Sequence, residues 1–204
     1  MRIFFSILGL MFCLIHSQAL ASEGQTEALP FYALSSEHII TLSNGLPVSD
    51  ISKAGSGRTN VFGAVDIETN TETIWAVMRD CGAQLDIIPK LKSCEILEEN
   101  TLENWDRRQQ IVKLGFPLPN VRSEFRSDYT PFKHIGITGT GGDLSYLKGE
   151  WILTPLSAQK TRVTYRAQMK SRLPVPAGFI RKAVRKDMPV ILSNLKTVAE
   201  AKDP

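Results

Sequence analysis

Few side chains of this chain are spaced for nucleophilic or acid–base catalysis. After residue 21 the only histidines are His38 and His134, and no Gly-x-Ser-x-Gly motif places a nucleophile on a sharp turn. His134 follows Pro131-Phe132-Lys133 at the expected start of a strand, where an imidazole is usually exposed or hydrogen-bonded. The motifs alone therefore predict no catalytic residue.

Metal and phosphate sites are equally unsupported by the sequence. Cys81 and Cys94 form no Cys-x-x-Cys pair and no His-x-x-x-His pair accompanies them, so the ligand spacing of a zinc site is absent. The glycine-rich stretch 136–142 lacks the Lys-Ser/Thr ending and the following helix that a phosphate-binding loop requires. It is typical of a twisted strand that ends in a Gly-Gly-Asp hairpin, and we expect neither a metal nor a cofactor.

The composition indicates one folded domain. Of the 204 residues, 43% are hydrophobic and 22% are charged, and the formal net charge is +3. A nucleic-acid-binding domain normally carries a marked basic excess. We therefore do not expect nucleic acid as a partner.

Residues 1–21 have the pattern of a secretory signal peptide. Arg2 precedes an apolar run from Ile3 to Ile15, and an Ala-x-Ala site ends at Ala21. The run is shorter than the ~18 to 20 residues that span a bilayer, which argues against an uncleaved anchor. We expect cleavage after Ala21 and export across the inner membrane to the periplasm, with the surrounding medium as the alternative destination.

Export would place Cys81 and Cys94 in an oxidising compartment, where cysteines can pair. A bridge between them would close a short loop and contribute about 3 kcal/mol to stability. Two independent buried thiols are the alternative, and the sequence leaves this choice open.

Periodicity along the rest of the chain predicts an antiparallel sheet and one long amphipathic helix. Residues 22–57 are polar and rich in turns, and we expect a partly extended leader with one strand there. A strand over 58–68 precedes two short helices, over 71–80 and 83–88. Apolar residues at steps of three and four predict a helix over 177–201. Between these lie six extended segments joined by short turns, over 92–100, 103–114, 121–130, 134–140, 145–155 and 160–170.

Charges alternate on two of these strands, in Asp106-Arg107-Arg108 and Glu124-Phe125-Arg126. Cross-strand ion pairs on a solvated face explain such a pattern. An inward Arg107 or Arg126 could instead meet the polar group of a ligand.

Residues 59–201 contain four patterned stretches. They are Val65 to Glu68 followed by Ile74 to Met78, Ile88 to Leu97, Leu147 to Pro155 followed by Thr161 to Tyr165, and Asp187-Met188-Pro189 in the last helix. With this order of elements the chain resembles the START-like (SRPBCC) superfamily of polyketide cyclases, dehydrases and lipid-transport proteins. The resemblance rests on patterns rather than on a catalytic signature, so it implies a fold more strongly than an activity.

The resemblance implies an α+β helix-grip domain over 58–202. In this fold a curved antiparallel sheet of about seven strands wraps around a long C-terminal helix, and two short helices follow the first strand. A deep apolar cavity between sheet and helix could hold a lipid, an isoprenoid quinone or a polyketide-like molecule. Aromatic, aliphatic and Met side chains could line it, although any packed core would use them equally well: Trp75, Phe125, Tyr129, Trp151, Tyr165, Met169, Phe179, Val184 and Met188.

The leading functional hypothesis is an exported, non-enzymatic protein that binds or carries a hydrophobic small molecule or lipid. The alternative is a cyclase, dehydratase or hydrolase acting on a bulky apolar substrate in the same cavity. That reaction would need a titratable group directed inward, the candidates being Asp86, Asp128, Glu150 and His134. A third possibility is an envelope interaction protein with a collapsed cavity and a partner surface on residues 22–57.

The most localised charge feature is a basic patch formed by Arg181, Lys182, Arg185 and Lys186 on the predicted terminal helix. A solvated helix face is one explanation. The other is a docking surface for anionic membrane headgroups beside the cavity mouth, because clustered Lys and Arg near a lipid surface contribute about 1 kcal/mol each.

Overall fold

The computed structural model describes residues 29–30, 32–115 and 119–202, so the expected signal peptide lies outside the described part. Within these residues one antiparallel sheet of eight strands, in the order β1-β2-β8-β7-β6-β5-β4-β3, curves around a C-terminal helix. The strands are β1 (Val48–Lys53), β2 (Thr59–Ile67), β3 (Leu91–Asn100), β4 (Trp105–Val112), β5 (Val121–Thr130), β6 (His134–Gly142), β7 (Leu144–Ser157) and β8 (Lys160–Ser171). The helices are α1 (Ser36–Ser43), α2 (Thr71–Arg79), α3 (Cys81–Ile87) and α4 (Ala177–Glu200). The predicted α+β helix-grip architecture is confirmed.

The two short helices begin at side chains that cap their first turns. Asn70 accepts a hydrogen bond from the backbone N–H of Thr73 at 2.8 Å, which starts α2. Asp80 accepts one from the backbone N–H of Gly82 at 2.8 Å, and this bond lowers the pKa of the Asp80 carboxyl. Helix α3 therefore begins at Cys81, earlier than the sequence suggests, because Gly82 supplies the N–H that the cap needs.

Helix α4 packs on the concave face of the sheet through an apolar stripe. Met188, Leu192 and Leu195 on this stripe are almost completely buried. Gly63 of β2 lies beneath them, where a Cβ atom would come within 2.9 Å of Leu192 Cδ1 and 3.3 Å of Met188 Cε. The absence of a side chain at Gly63 thus allows the helix to approach the sheet this closely.

The residues before β2 add a strand to the sheet and cover part of its convex face. Strand β1 pairs with β2. It is the additional strand that gives the sheet eight strands instead of the expected seven. Helix α1 begins at a capping box between Ser35 and His38, and its Leu42 packs against Phe62. Tyr32 stacks on the Phe62 ring at a centroid distance of 4.9 Å. The convex face of this edge is therefore covered by its own apolar cluster.

A disulfide joins Cys81 at the start of α3 to Cys94 on strand β3, with the Cα atoms 5.3 Å apart. It ties the helix that follows α2 to the edge strand of the sheet. In the part of the chain described, no helix combines the length and apolar character needed to cross a membrane.

Candidate ligand cavity

A cavity of about 320 Å³ lies between the concave face of the sheet, α3 and α4. Strand alternation directs every second side chain of β4 to β8 into this space. Most of its lining is apolar, and the lining residues of β6, β7, β8 and α4 include Ile135, Ile137, Leu147, Trp151, Met169, Val184 and Ile191. The core of the fold is thus not completely filled by its own side chains.

Seven of the nine residues that the sequence suggests for the cavity line it: Phe125, Tyr129, Trp151, Tyr165, Met169, Val184 and Met188. Trp75 and Phe179 do not. Trp75 is buried in the core and packs edge-on against Tyr129 and Phe132. Phe179 is 63% exposed, because it precedes Ile180 by one residue and so lies off the buried stripe of α4. That the seven contact a ligand stays a prediction.

Strands β4 and β5 give the cavity a second, polar wall. Arg108 and Gln110 of β4 and Ser123, Ser127 and Tyr129 of β5 line it. The alternating charges predicted ion pairs on a solvated face for Arg107 and Arg126, with an inward placement of either as the alternative. The inward alternative is wrong, because neither residue lines the cavity. Both belong to pairs on the outer face, Arg107 with Glu98 and Arg126 with Asp128.

A buried hydrogen-bonded cluster organises this polar wall. Arg108 donates from Nε to Asp106 Oδ1 at 2.9 Å and from Nη2 to Asp106 Oδ2 at 2.7 Å. Nη2 also donates to the Tyr129 hydroxyl at 2.9 Å, and that hydroxyl donates to Asp106 Oδ2 at 2.5 Å. Asp106 is 0% and Arg108 3% exposed. Asp106 lies behind the lining and holds Arg108 and Tyr129 in place.

The environment of the cavity fixes the protonation of its polar groups. Burial lowers the pKa of Arg108, but the hydrogen bonds and charges of Asp106 and Tyr129 outweigh it and raise the pKa overall. Burial raises the pKa of Tyr129 to about 12, against the opposing charge of Arg108. Burial alone raises the pKa of Tyr165 to about 12. At neutral pH the cavity therefore presents a cationic guanidinium and two neutral phenols.

Several donors of the cavity have no partner among the described residues. Within residues 32–115 and 119–202, Nη1 of Arg108, the Gln110 amide and the Tyr165 hydroxyl make no hydrogen bond to another side chain or to the backbone. Each belongs to a residue that lines the cavity. They are available to acceptor oxygens of a bound molecule.

The four titratable candidates for acid–base catalysis lie outside the cavity. Asp86 is exposed on α3 and Asp128 pairs with Arg126 on the outer face. His134 Nε2 lies 2.8 Å from Glu150 Oε2, and Arg166 pairs with the other oxygen of Glu150. The cause is alternation, since inward Tyr129 and Trp151 turn the neighbouring Asp128 and Glu150 outward. Among the described lining residues, the one carboxylate is that of Asp187 on α4.

The basic patch lies on the first half of α4, beside the lining residues Ile180, Ala183, Val184 and Asp187. Lys182, Arg185 and Lys186 are exposed and Arg181 is half-buried. Arg185 Nη2 donates to the carbonyl oxygen of Ile51 at 2.8 Å, so this side chain also attaches α4 to strand β1. Lys182 and Lys186 make no such contact in the described part of the chain.

The elements that form the cavity match a known family. Residues 67–196, more than half of the chain, match the family described as polyketide cyclase / dehydrase and lipid transport. The chain belongs to this family. The description of the family covers both functions that the sequence leaves open. No curated protein matches this chain.

Solved structures share the fold at low sequence identity. The STAR-related lipid transfer protein from Xanthomonas axonopodis is 18% identical, with 84% of this chain and 97% of that one covered and a TM-score of 0.64. The Zhui aromatase/cyclase from Streptomyces sp. R1128 is 19% identical, with 71% and 95% covered and a TM-score of 0.62. The lipid transfer and protein localization domain of human StarD13 is 9% identical, with 75% and 84% covered and a TM-score of 0.61. These similarities establish the fold.

Proposed function

We propose that this protein binds and carries a compact hydrophobic molecule that has oxygen atoms along one side. The observation that carries the proposal is the cavity itself, which is mostly apolar and has most of its polar side chains on β4 and β5. A site that is mostly apolar with a few convergent polar groups is typical of small-molecule binding. The membership of the family supports the same class of ligand.

The volume of the cavity restricts the size of this ligand. Sites for drug-sized molecules enclose about 300–1,000 Å³, and the present cavity of about 320 Å³ is at the lower end of that range. One ring system or one acyl chain fits such a space. A two-chain phospholipid or a long isoprenoid quinone does not, unless part of it remains outside.

The polar wall gives the ligand an orientation. Arg108 and Tyr129 are held by Asp106, so Nη1 of Arg108 is fixed in position before a ligand binds. A carbonyl or hydroxyl oxygen placed there gains a charge-assisted hydrogen bond without reorganisation of the protein. The apolar part of the ligand then lies against Trp151 and Met169.

Native mass spectrometry and solvent extraction of protein purified from its own host test this proposal. We expect a co-purifying apolar molecule in the wild type and its loss in Ala183→Trp, which fills the cavity from α4. Ala158→Trp, in the exposed turn between β7 and β8, is the matched control and should retain the molecule. An empty wild-type protein, or equal retention in both variants, would contradict the proposal.

An enzymatic function in the same cavity is the second candidate. The observation in its favour is Arg108, a buried cation that could stabilise the oxyanion of an enolate formed from a polycarbonyl substrate. The carboxylate of Asp187, the one among the described lining residues, would accept the α-proton. Incubation with a linear poly-β-carbonyl thioester separates the two functions. A carrier returns this compound chemically unchanged, whereas a cyclase or dehydratase returns a product that has lost water.

We further propose that the protein acts after export, in the periplasm. The signal-peptide pattern of residues 1–21 and the Cys81–Cys94 disulfide support this location. The intact mass of protein recovered from the periplasmic fraction is the test. A chain that begins at Ser22 agrees with the proposal, and an unprocessed cytosolic chain with free thiols contradicts it.

A further inference from the structure

A second cleft lies at the end of the fold opposite the start of α4. It has a volume of about 230 Å³ and lies between α2 and the two turns that join β3 to β4 and β5 to β6. Trp75, Arg79, Trp105 and Phe132 are among the residues that line it. Of the described residues, Tyr129 alone lines both this cleft and the ligand cavity.

The Tyr129 side chain contacts groups that belong to both spaces. Its hydroxyl bonds to Arg108, which lines the cavity, and to Asp106. One face of its ring lies on the cleft side, where Cζ of Arg79 is 4.7 Å from the ring centroid. Arg79 lines the cleft but not the cavity, and Arg108 lines the cavity but not the cleft. Tyr129 therefore lies between a cation of the cleft and a cation of the cavity.

Tyr129 is held in this position from several directions. The hydroxyl takes part in two short bonds with a buried ion pair, and the Trp75 ring contacts the Tyr129 ring edge-on at 5.6 Å. The backbone N–H of Tyr129 donates to the carbonyl oxygen of Asn104 at 2.8 Å. A side chain anchored at the backbone, the ring and the hydroxyl serves as a fixed wall rather than as a swinging gate.

We propose that Tyr129 sets the maximum length of the ligand by forming the end wall of the cavity. Removal of its ring would join the 320 Å³ cavity to the 230 Å³ cleft. The added space has aromatic walls from Trp75 and Phe132 and polar walls from the turn between β3 and β4, and it leads to the surface at Arg79 and Glu99. A longer chain could then pass the position of the ring and gain contacts beyond it. This inference rests on the proposed ligand binding.

Titration calorimetry with a homologous series of straight-chain alcohols tests the assignment. In the wild type, affinity should rise about fourfold with each further methylene, equivalent to about 0.8 kcal/mol, and then stop rising when the chain reaches Tyr129. In Tyr129→Ala the rise should continue to longer chains. Tyr129→Phe keeps the ring and loses the hydroxyl, so its affinity should stop rising at the same chain length as in the wild type.

Tyr129→Leu provides a second truncation should the alanine variant not fold, as judged by circular dichroism. It should extend the length limit by less than alanine, because part of the wall remains. An identical limit in wild type, Tyr129→Ala and Tyr129→Leu would overturn the role of Tyr129 and leave ligand binding intact. A wild-type protein that binds no member of the series would overturn the proposed function instead.

Discussion

Arg108 and Asp106 form a bidentate ion pair from two successive inward positions of one strand, and both are almost completely buried. Because both members of the pair lie on β4, the neighbouring strand β5 can add Tyr129 to the hydrogen-bonded cluster. The pair thus gives the mostly apolar cavity one fixed cation. Breaking a buried pair by removing one partner leaves an uncompensated charge.

We predict that Asp106→Asn lowers the free energy of unfolding by about 3–5 kcal/mol, because the Arg108 charge stays buried without its carboxylate. Urea denaturation of the purified variant measures the loss. Asp128→Asn is the matched control, since it breaks an exposed pair with Arg126 and should cost about 0–1 kcal/mol. Equal losses in the two variants would mean that Asp106 is not required to neutralise Arg108.

The buried tyrosines predict a loss of stability at high pH. Burial raises the pKa of Tyr129 and Tyr165 from 10.0 to about 12. Between these values the unfolded chain releases protons that the folded protein keeps, so the free energy of unfolding falls as the pH rises. The contribution of each tyrosine to the free energy of unfolding is fully present below pH ~10. It decreases by about 2–3 kcal/mol as the pH approaches ~12.

Denaturation curves recorded across this pH range, with tyrosine absorbance to follow ionisation, measure the effect. Tyr165→Phe is the more informative variant, because the Tyr165 hydroxyl makes no hydrogen bond within the described residues. It should reduce the alkaline loss of stability without a large change at neutral pH. A pH dependence identical to that of the wild type would show that Tyr165 does not contribute to the fall in stability at high pH.

Close packing between β2 and α4 predicts that Gly63→Ala is destabilising. The added Cβ would lie 2.9 Å from Leu192 Cδ1, so the helix or the side chain must move. Overpacking of this kind costs about 1–3 kcal/mol. Gly55→Ala is the control, since no atom lies within 4 Å of a Cβ placed there. Thermal melting compares the two, and similar melting temperatures would contradict the close approach of α4 to the sheet.

The parts of the fold that follow clear periodicity could be predicted from the sequence, and those without it could not. Strands β7 and β8 alternate apolar with polar residues, so the inward placement of Trp151 and Tyr165 follows directly. Strand β4 has the sequence Trp-Asp-Arg-Arg-Gln-Gln, with polar residues on both faces. No pattern therefore predicts which of Arg107 and Arg108 faces the cavity. The position of Tyr129 between cavity and cleft depends on contacts with α2 and two turns, which only tertiary structure brings together.

The basic patch predicts binding to anionic membranes next to the first half of α4. Lys182 and Lys186 are exposed there, one turn apart, with Phe179 63% exposed beside them. Removal of both charges in Lys182→Gln/Lys186→Gln should weaken co-sedimentation with phosphatidylglycerol vesicles roughly 30-fold, at ~1 kcal/mol per lysine. Lys92→Glu, on the exposed edge strand β3, is the control and should bind like the wild type. Binding that persists in the double variant, or that is equal on phosphatidylcholine vesicles, would mean that the patch is a solvated helix face.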